Sequence, residues 1–207
     1  MKEMINMLKE RYAPNEPIFT GDVFALCEDA PRSTVYYQLR KAVQKGEIAK
    51  AERGVYYIPT RTLLGKSVLP SLKPLVKKYI SDGGEVQGYW GGLMLENQEG
   101  LTTQNPTVLE IVTNKATRRL RRLGARAGYR DVLIRPPRVE VTKENVEALK
   151  FLDIITALPE RVEQEIIGEL EGKAKKLDAR IVLLTLGSYP AKTSKKLVES
   201  GLLNVFA

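Results

Sequence analysis

Histidine is missing from all 207 residues of the chain, and cysteine occurs once. Without an imidazole there is no His-based general acid or base, no serine triad of the usual kind and no His-ligated zinc or iron centre. With Cys27 alone there is neither an intrachain disulfide nor a thiolate cage. Its place beside Val23 and Phe24 on one side of a short helical segment marks it as a small core residue. Long apolar runs are missing too: residues 24–27 and 181–184 are among the apolar stretches, and such runs fall far short of a bilayer span. The opening Met1-Lys2-Glu3-Met4 is mixed in charge and lacks the continuous apolar stretch of a secretory signal. These absences predict a cytoplasmic protein with no membrane partner, cofactor, metal or catalytic residue.

Positive charge is in excess. Lys plus Arg is 33 against 25 for Asp plus Glu, a formal charge of +8, which suits a polyanionic partner. The excess is local. Residues 1–60 hold 9 basic and 8 acidic side chains, residues 61–140 hold 14 and 7, and residues 141–207 hold 10 of each. Length favours two modules, and the charge belongs to the middle of the chain.

The first sixty residues read as a winged helix-turn-helix. Met4, Ile5, Leu8 and Tyr12 recur at helical spacing, and Pro14 and Pro17 bracket the end of that helix. Thr20 is the expected N-cap of a second, short helix that turns inward Val23, Phe24 and Cys27. After the turn Asp29-Ala30-Pro31, a third helix carries the stripe Val35, Leu39, Ala42 and Val43 and stops at Gly46. A strand pair follows, residues 47–50 and 55–58, around a turn at Glu52-Arg53-Gly54. In that order of elements the third helix is the one that enters a major groove of DNA. Its outward residues are Arg32, Ser33, Thr34, Tyr36, Tyr37, Arg40 and Lys41. With Lys45, Lys50 and Arg53 they form the expected double-stranded DNA contact: arginines for guanine edges, hydroxyls and lysines for phosphates. No acidic residue interrupts residues 32–45. The same polar face would also suit a protein-docking module.

Residues 61–207 read as a second, α+β domain. Pro70 and Pro74 lie in a connection that leads to a short helix over Leu75, Val76, Tyr79 and Ile80, and residues 89–97 read as a further short helix. Residues 107–135 read as a β-meander that contains an arginine stretch. Its basic patch comprises Lys115, Arg118, Arg119, Arg121, Arg122 and Arg126. Nucleic-acid contact, docking to an acidic protein and protection of a sheet edge all fit that patch. Helices follow: one capped by Thr142, one started by Pro159 with Val162, Ile166, Leu170, Ala174 and Leu177 inward, and a last one bearing Leu197 and Val198. Residues 181–186 fit either a buried strand or a helix. Two enzyme signatures fail. Asp131, Glu140 and Lys143 lack the one-residue spacing of a metal-dependent nuclease, and neither glycine pair continues into a phosphate-binding loop.

Three stretches together resemble the AbiEi family, the antitoxin and transcriptional-regulator half of AbiE abortive-infection systems. Lys45-Gly46-Glu47-Ile48 with Arg53-Gly54-Val55-Tyr56 is similar to its helix end and wing. Residues 100–106, Gly-Leu-Thr-Thr-Gln-Asn-Pro, are similar to its second-domain motif, and Tyr189-Pro190 to its C-terminal pattern. Glu99, where an apolar residue is usual, and the glycine-rich segment before it depart from that pattern. The resemblance implies a repressor of its own promoter repeats and a second domain that counters a cognate nucleotidyltransferase-like toxin functionally, without a stable complex being required. A nucleic-acid-processing enzyme remains the alternative of a different class.

Overall fold

A computed structural model describes residues 2–63, 65–117, 119–126 and 128–207. The fold is mixed α+β, and the chain divides into two compact units, Met1–Lys77 and Lys78–Ala207. Among the described residues no helix is long and apolar enough to cross a membrane.

The N-terminal unit opens with α1 (Lys2–Arg11), β1 (Ile18–Phe19), α2 (Thr20–Leu26) and α3 (Arg32–Gln44). Met4, Ile5 and Leu8 of α1 close on Val23 of α2 and on Val35, Leu39 and Ala42 of α3, with Tyr12, Ile18, Ile48 and Tyr56 completing the buried cluster. The i, i+4, i+7 spacing of the α3 stripe puts all three residues on one helix face. Burying each is worth about 1.5–3 kcal/mol for a Val or Leu side chain. Gly46, at φ +70°, takes the left-handed position past the helix end that a side chain resists. Then β2 (Ala49–Glu52) and β3 (Val55–Tyr57) form a hairpin with a register shift between Lys50 and Glu52. The sheet order is β1-β3-β2, because Ile18 and Phe19 pair antiparallel with Tyr56 and Val55.

Thr20 departs from its expected role. It is the first residue of α2, and its backbone N–H and its Oγ1 both donate to the Gly54 carbonyl, at 3.0 and 3.1 Å. The hydroxyl is committed to the hairpin turn, and Asp22 Oδ2 accepts the Phe19 N–H at 3.3 Å in place of a Thr cap.

The unit continues beyond residue 60. Residues Arg61–Thr62 (β4) and Gly65–Lys66 (β5) pair, Ser67 Oγ accepts the Thr60 N–H at 2.8 Å, and Leu69 is buried against Val55 and Tyr57. After α4 (Lys73–Leu75) a π-helical turn, Val76–Ile80, leads into the second unit. Lys77 Nζ donates to Glu16 Oε1 at 2.6 Å and to the Pro17 carbonyl at 3.0 Å, and lies 4.6 Å from the centroid of the Tyr12 ring. Burial alone would push the Glu16 carboxyl up, but the hydrogen bonds from Lys77 and the Ala13 N–H, with the charges of Lys77 and Lys73, hold it below its ordinary 4.5. A carboxyl with a depressed pKa in the folded state adds stability above its unfolded pKa and loses it as pH falls through the folded one. Glu16→Gln is therefore expected to be less stable than the parent at neutral pH. The gap should close as the medium is acidified below the ordinary carboxylate value. Urea unfolding of both proteins along a pH series checks this, and a constant gap contradicts it.

In the C-terminal unit a small hairpin, β6 (Ser81–Asp82) and β7 (Glu85–Val86), precedes β8 (Gly88–Gly91), α5 (Gly92–Gln98), β9 (Val108–Thr113), β10 (Arg121–Arg122) and β11 (Asp131–Arg135). The last four strands form one sheet of order β10-β11-β9-β8. Residues 89–91, expected in a helix, are strand: Tyr89 pairs with Val112 and Trp90 with Ile111, and both rings are buried. The helix begins only at Gly92. A Cβ at Gly91 would stand 2.8 Å from Glu110 Oε1, so glycine is what lets the strand pass that carboxylate.

The expected meander is corrected as well. β11 runs parallel to β9, Asp131 beside Val108 through Arg135 beside Val112, so residues 114–130 cross over instead of turning back. Leu109, Ile111, Val132 and Ile134 are fully buried, and a parallel pair placed inside the sheet allows both strands to bury them. Among the described residues of the arginine stretch, Arg121 and Arg122 alone are strand, on the sheet edge.

Helices α6 (Val146–Ala157), α7 (Gln164–Ala174), α8 (Ala179–Leu186) and α9 (Ala191–Glu199), with the 3₁₀ turn Leu202–Phe206, supply most of this unit's core. Residues 181–186 are helix. Thr142 does not cap α6: Asn145 holds the cap position, and its Oδ1 accepts the Thr142 N–H at 2.8 Å. Pro159 does not start α7. Leu158 is extended, as the residue before a proline prefers, so Val162 falls ahead of the helix and α7 begins at Gln164. Val198 of α9 is exposed while Leu197 is buried.

An ionic network ties β8, β9, β11 and α6 together. Arg135 Nε donates to Glu110 Oε1 at 2.5 Å and Arg135 Nη2 to Asp153 Oδ2 at 2.8 Å, an oxygen that also accepts the Tyr89 hydroxyl at 2.8 Å. Burial pushes the Tyr89 phenol far up, and the Asp153 charge adds to it. Burial alone would lower the Arg135 guanidinium's pKa, but Asp153 and Glu110 outweigh it and hold the group charged.

Candidate functional site

The stripe that α3 buries decides the face it leaves out. Arg32, Ser33, Thr34, Tyr36, Tyr37 and Arg40 are exposed, Lys41 is half-buried beside them, and Lys45 stands exposed at the helix end. Phe24 of α2 organises the first turns: the Arg32 guanidinium lies 5.3 Å from its ring centroid, and Tyr36 packs edge-on to it at 5.4 Å. Lys41 Nζ lies 5.4 Å from the Tyr37 ring centroid and donates to its hydroxyl at 3.4 Å. Contacts of this kind restrict long side chains before a ligand arrives, which lowers the entropy lost on binding.

The β2–β3 hairpin forms the facing wall. Its turn carries Arg53, and Gly54 beside it adopts φ +79°. Because Thr20 donates twice to the Gly54 carbonyl, that turn is tied to the start of α2. Between α3 and the hairpin lies a cleft of about 640 Å³ onto which Tyr36, Arg40, Lys50 and Arg53 open, with Thr20, Val43 and Tyr56 among its walls and no carboxylate. Burial pushes the Tyr56 phenol up, Tyr36 adds to the shift and Arg40 opposes it.

Of the ten residues expected to contact DNA, the fold thus gathers Tyr36, Arg40, Lys50 and Arg53 around one cleft. Arg32, Ser33 and Thr34 stand at the first turn of α3, Tyr37 and Lys41 pair with each other, and Lys45 lies past the last turn. Lys66 was not anticipated. Its Nζ donates to the Gly46 carbonyl at 3.3 Å, which sets another cation beside the end of α3; only the β4–β5 pairing brings it there, so local sequence gives no signal.

The second basic group is spread over the β9–β11 crossover. Lys115 lies in the turn after β9, Arg119 is exposed, Arg121 and Arg122 form β10, and Arg126 makes an isolated bridge with Tyr129. Arg118 lies outside the described residues. Arg122 Nη1 reaches Asp131 Oδ2 at 3.2 Å, and Asp131 Oδ1 accepts the N–H groups of Gly124 and Val132. Asp131 is therefore occupied in holding the crossover. Among the described residues no group of three His, Cys, Asp or Glu side chains could hold a metal. A smaller cleft of about 190 Å³ in this unit mixes Arg135, Arg138 and Lys192 with Glu96, Glu110 and Asp153, and its central ions are spent on one another.

No protein-family model matches the chain, and no curated protein matches it in sequence.

Proposed function

We propose that the N-terminal unit is a winged helix that binds double-stranded DNA, and that the chain is a non-enzymatic repressor of its own promoter. The observation that carries this reading is the acid-free cleft on which Tyr36, Arg40, Lys50 and Arg53 open from α3 and the hairpin. A duplex edge placed there meets a helix that reads bases on one side and cations that take phosphates on the other. The start of α3 supports the same reading: Pro31 supplies no side-chain cap and the first turn has no acid, so the positive end of the helix dipole is open to a phosphate.

The motif resemblance to the AbiEi family extends the proposal to the C-terminal unit, which then serves as the antitoxin half. It counters a nucleotidyltransferase-like toxin encoded beside it. Co-expression of the two genes, with cell survival as the readout, tests that part.

A gel-shift series on DNA from immediately upstream of the coding sequence, with and without divalent metal, tests the DNA reading. A sequence-specific shift without nucleic-acid products is expected. About four phosphate contacts from Lys41, Lys45, Lys50 and Arg53 predict that the N-terminal unit contributes about −4 to the log–log salt slope, at roughly 0.9 per phosphate. A flat salt response points to a protein-docking domain, and metal-dependent products point to an enzyme.

A further inference from the structure

We infer that the β9–β11 crossover is a second, sequence-independent contact for duplex DNA, in which Lys115, Arg119, Arg121 and Arg122 neutralise backbone phosphates. Residues 114–130 contain seven basic side chains and no acidic one. Like charges at this density repel one another, and an anion brought among them removes that cost. Lys115, Arg119, Arg121 and Arg122 are exposed. Arg122 pairs with Asp131, yet its side chain stays 72% exposed. Arg119 and Arg121 have no ion-pair partner among the described residues.

Edge protection does not account for the pattern. β10 is two residues long, and an edge strand that short already offers almost no template for another chain. Lys115 and Arg119 lie off the strand altogether. Arginine predominates over lysine in the segment, and the guanidinium fork matches phosphate oxygens bidentately. The backbone beneath is anchored: Arg121 and Arg122 pair with Ile134 and Leu133, the Leu123 N–H donates to the Val132 carbonyl at 2.9 Å, and the Arg130 N–H donates to the Thr107 carbonyl at 2.8 Å. Arg121 and Arg122 are thus presented from a sheet edge, and Lys115 and Arg119 from the connection that leads into it, not from a free tail. Proteins that hold single strands stack bases on aromatic rings. This segment has one aromatic residue, the half-buried Tyr129, which favours a duplex backbone over unpaired bases.

The test uses the full chain and a random-sequence duplex, with affinity followed across a salt series. The triple variant Arg119→Gln, Arg121→Gln, Arg122→Gln is expected to lose about 2–3 from the magnitude of the log–log salt slope, at roughly 0.9 per phosphate. The matching lysine variant, which keeps the charge, should retain most of the slope. The pair Lys115→Gln and Arg119→Gln leaves β10 intact and should lose about 2, so the inference stays testable if the triple variant folds poorly. Preference for promoter DNA over random duplex should survive in all of them, whereas Arg40→Ala should lose the preference and keep the random-duplex slope. Failure of the Arg40 arm alone would overturn the winged-helix reading and leave this one standing. An unchanged slope with reduced soluble yield would overturn it in favour of edge protection. Tighter binding to single-stranded RNA than to duplex would overturn the choice of partner, as would an unchanged slope with loss of binding to an acidic toxin.

Discussion

Asp153→Ala is expected to destabilise the C-terminal unit by about 3–5 kcal/mol, the cost of leaving one member of a buried ion pair without its partner. The Asp153 side chain is only 8% exposed, and one of its oxygens serves both the Arg135 guanidinium and the Tyr89 hydroxyl. Alanine would leave Arg135 with Glu110 alone and strand the hydroxyl of a fully buried tyrosine. The tyrosine has no water to turn to, and the guanidinium, only 26% exposed, regains part of its hydration, so most of the desolvation is not recovered. Asp153→Asn retains an acceptor and removes the charge, and its loss should fall between those of the parent and the alanine variant. Tyr89→Phe removes one donor and should cost about 1 kcal/mol, the net worth of an ordinary hydrogen bond. Urea unfolding of the three variants ranks them, and a loss below about 1 kcal/mol for Asp153→Ala would mean that the network contributes little to stability.

Arg40→Ala is expected to weaken binding to promoter DNA by about 1–3 kcal/mol, roughly 5- to 150-fold, if its guanidinium meets a base edge. Arg40 follows Leu39 on the helix but points outward, onto the cleft shared with Lys50 and Arg53, and it holds no position in the core. Folding stability should therefore stay close to that of the parent, since exposed substitutions usually fall within about 0.5 kcal/mol. The two measurements together are decisive. Anisotropy titration on promoter and random duplexes gives affinity and preference, and thermal melting shows whether the fold survived. Unchanged binding with an unchanged melt would remove Arg40 from the interface.

Much of the N-terminal unit is legible from periodicity. Met4, Ile5 and Leu8 announce α1, and Val35, Leu39 and Ala42 announce α3, because a buried helix face repeats within one local window. The outward residues of α3 follow as the complement of that stripe. What local sequence lacks is pairing. β1 is two residues long and gains strand character only by lying beside β3, far along the chain. Residues 61–77 fold back through Ser67, Leu69 and Lys77, none of which carries a local signal of where it lands. In the C-terminal unit the direction of β11 relative to β9 is invisible for the same reason, since parallel and antiparallel neighbours use the same valines and isoleucines. The Arg135–Asp153–Tyr89 network joins residues from three separate elements, and each reads alone as an ordinary surface charge or core ring.

The parallel pairing of β9 with β11 also sets the order in which the C-terminal unit comes together. β8 and β9 are antiparallel neighbours, whereas β11 must find β9 across the whole of residues 114–130, closing that stretch as a loop before any contact rewards it. β10 pairs with β11 alone, antiparallel and close in sequence, so that pairing is local and does not wait for β11 to reach β9. Closing a loop costs little more when the loop is longer, about 0.6 kcal/mol for each doubling, but that cost precedes the pairing and so falls on the speed of folding. The arginine-bearing crossover is in this sense a clock as well as a surface. A change in its length alters how fast the sheet is completed far more than which sheet results.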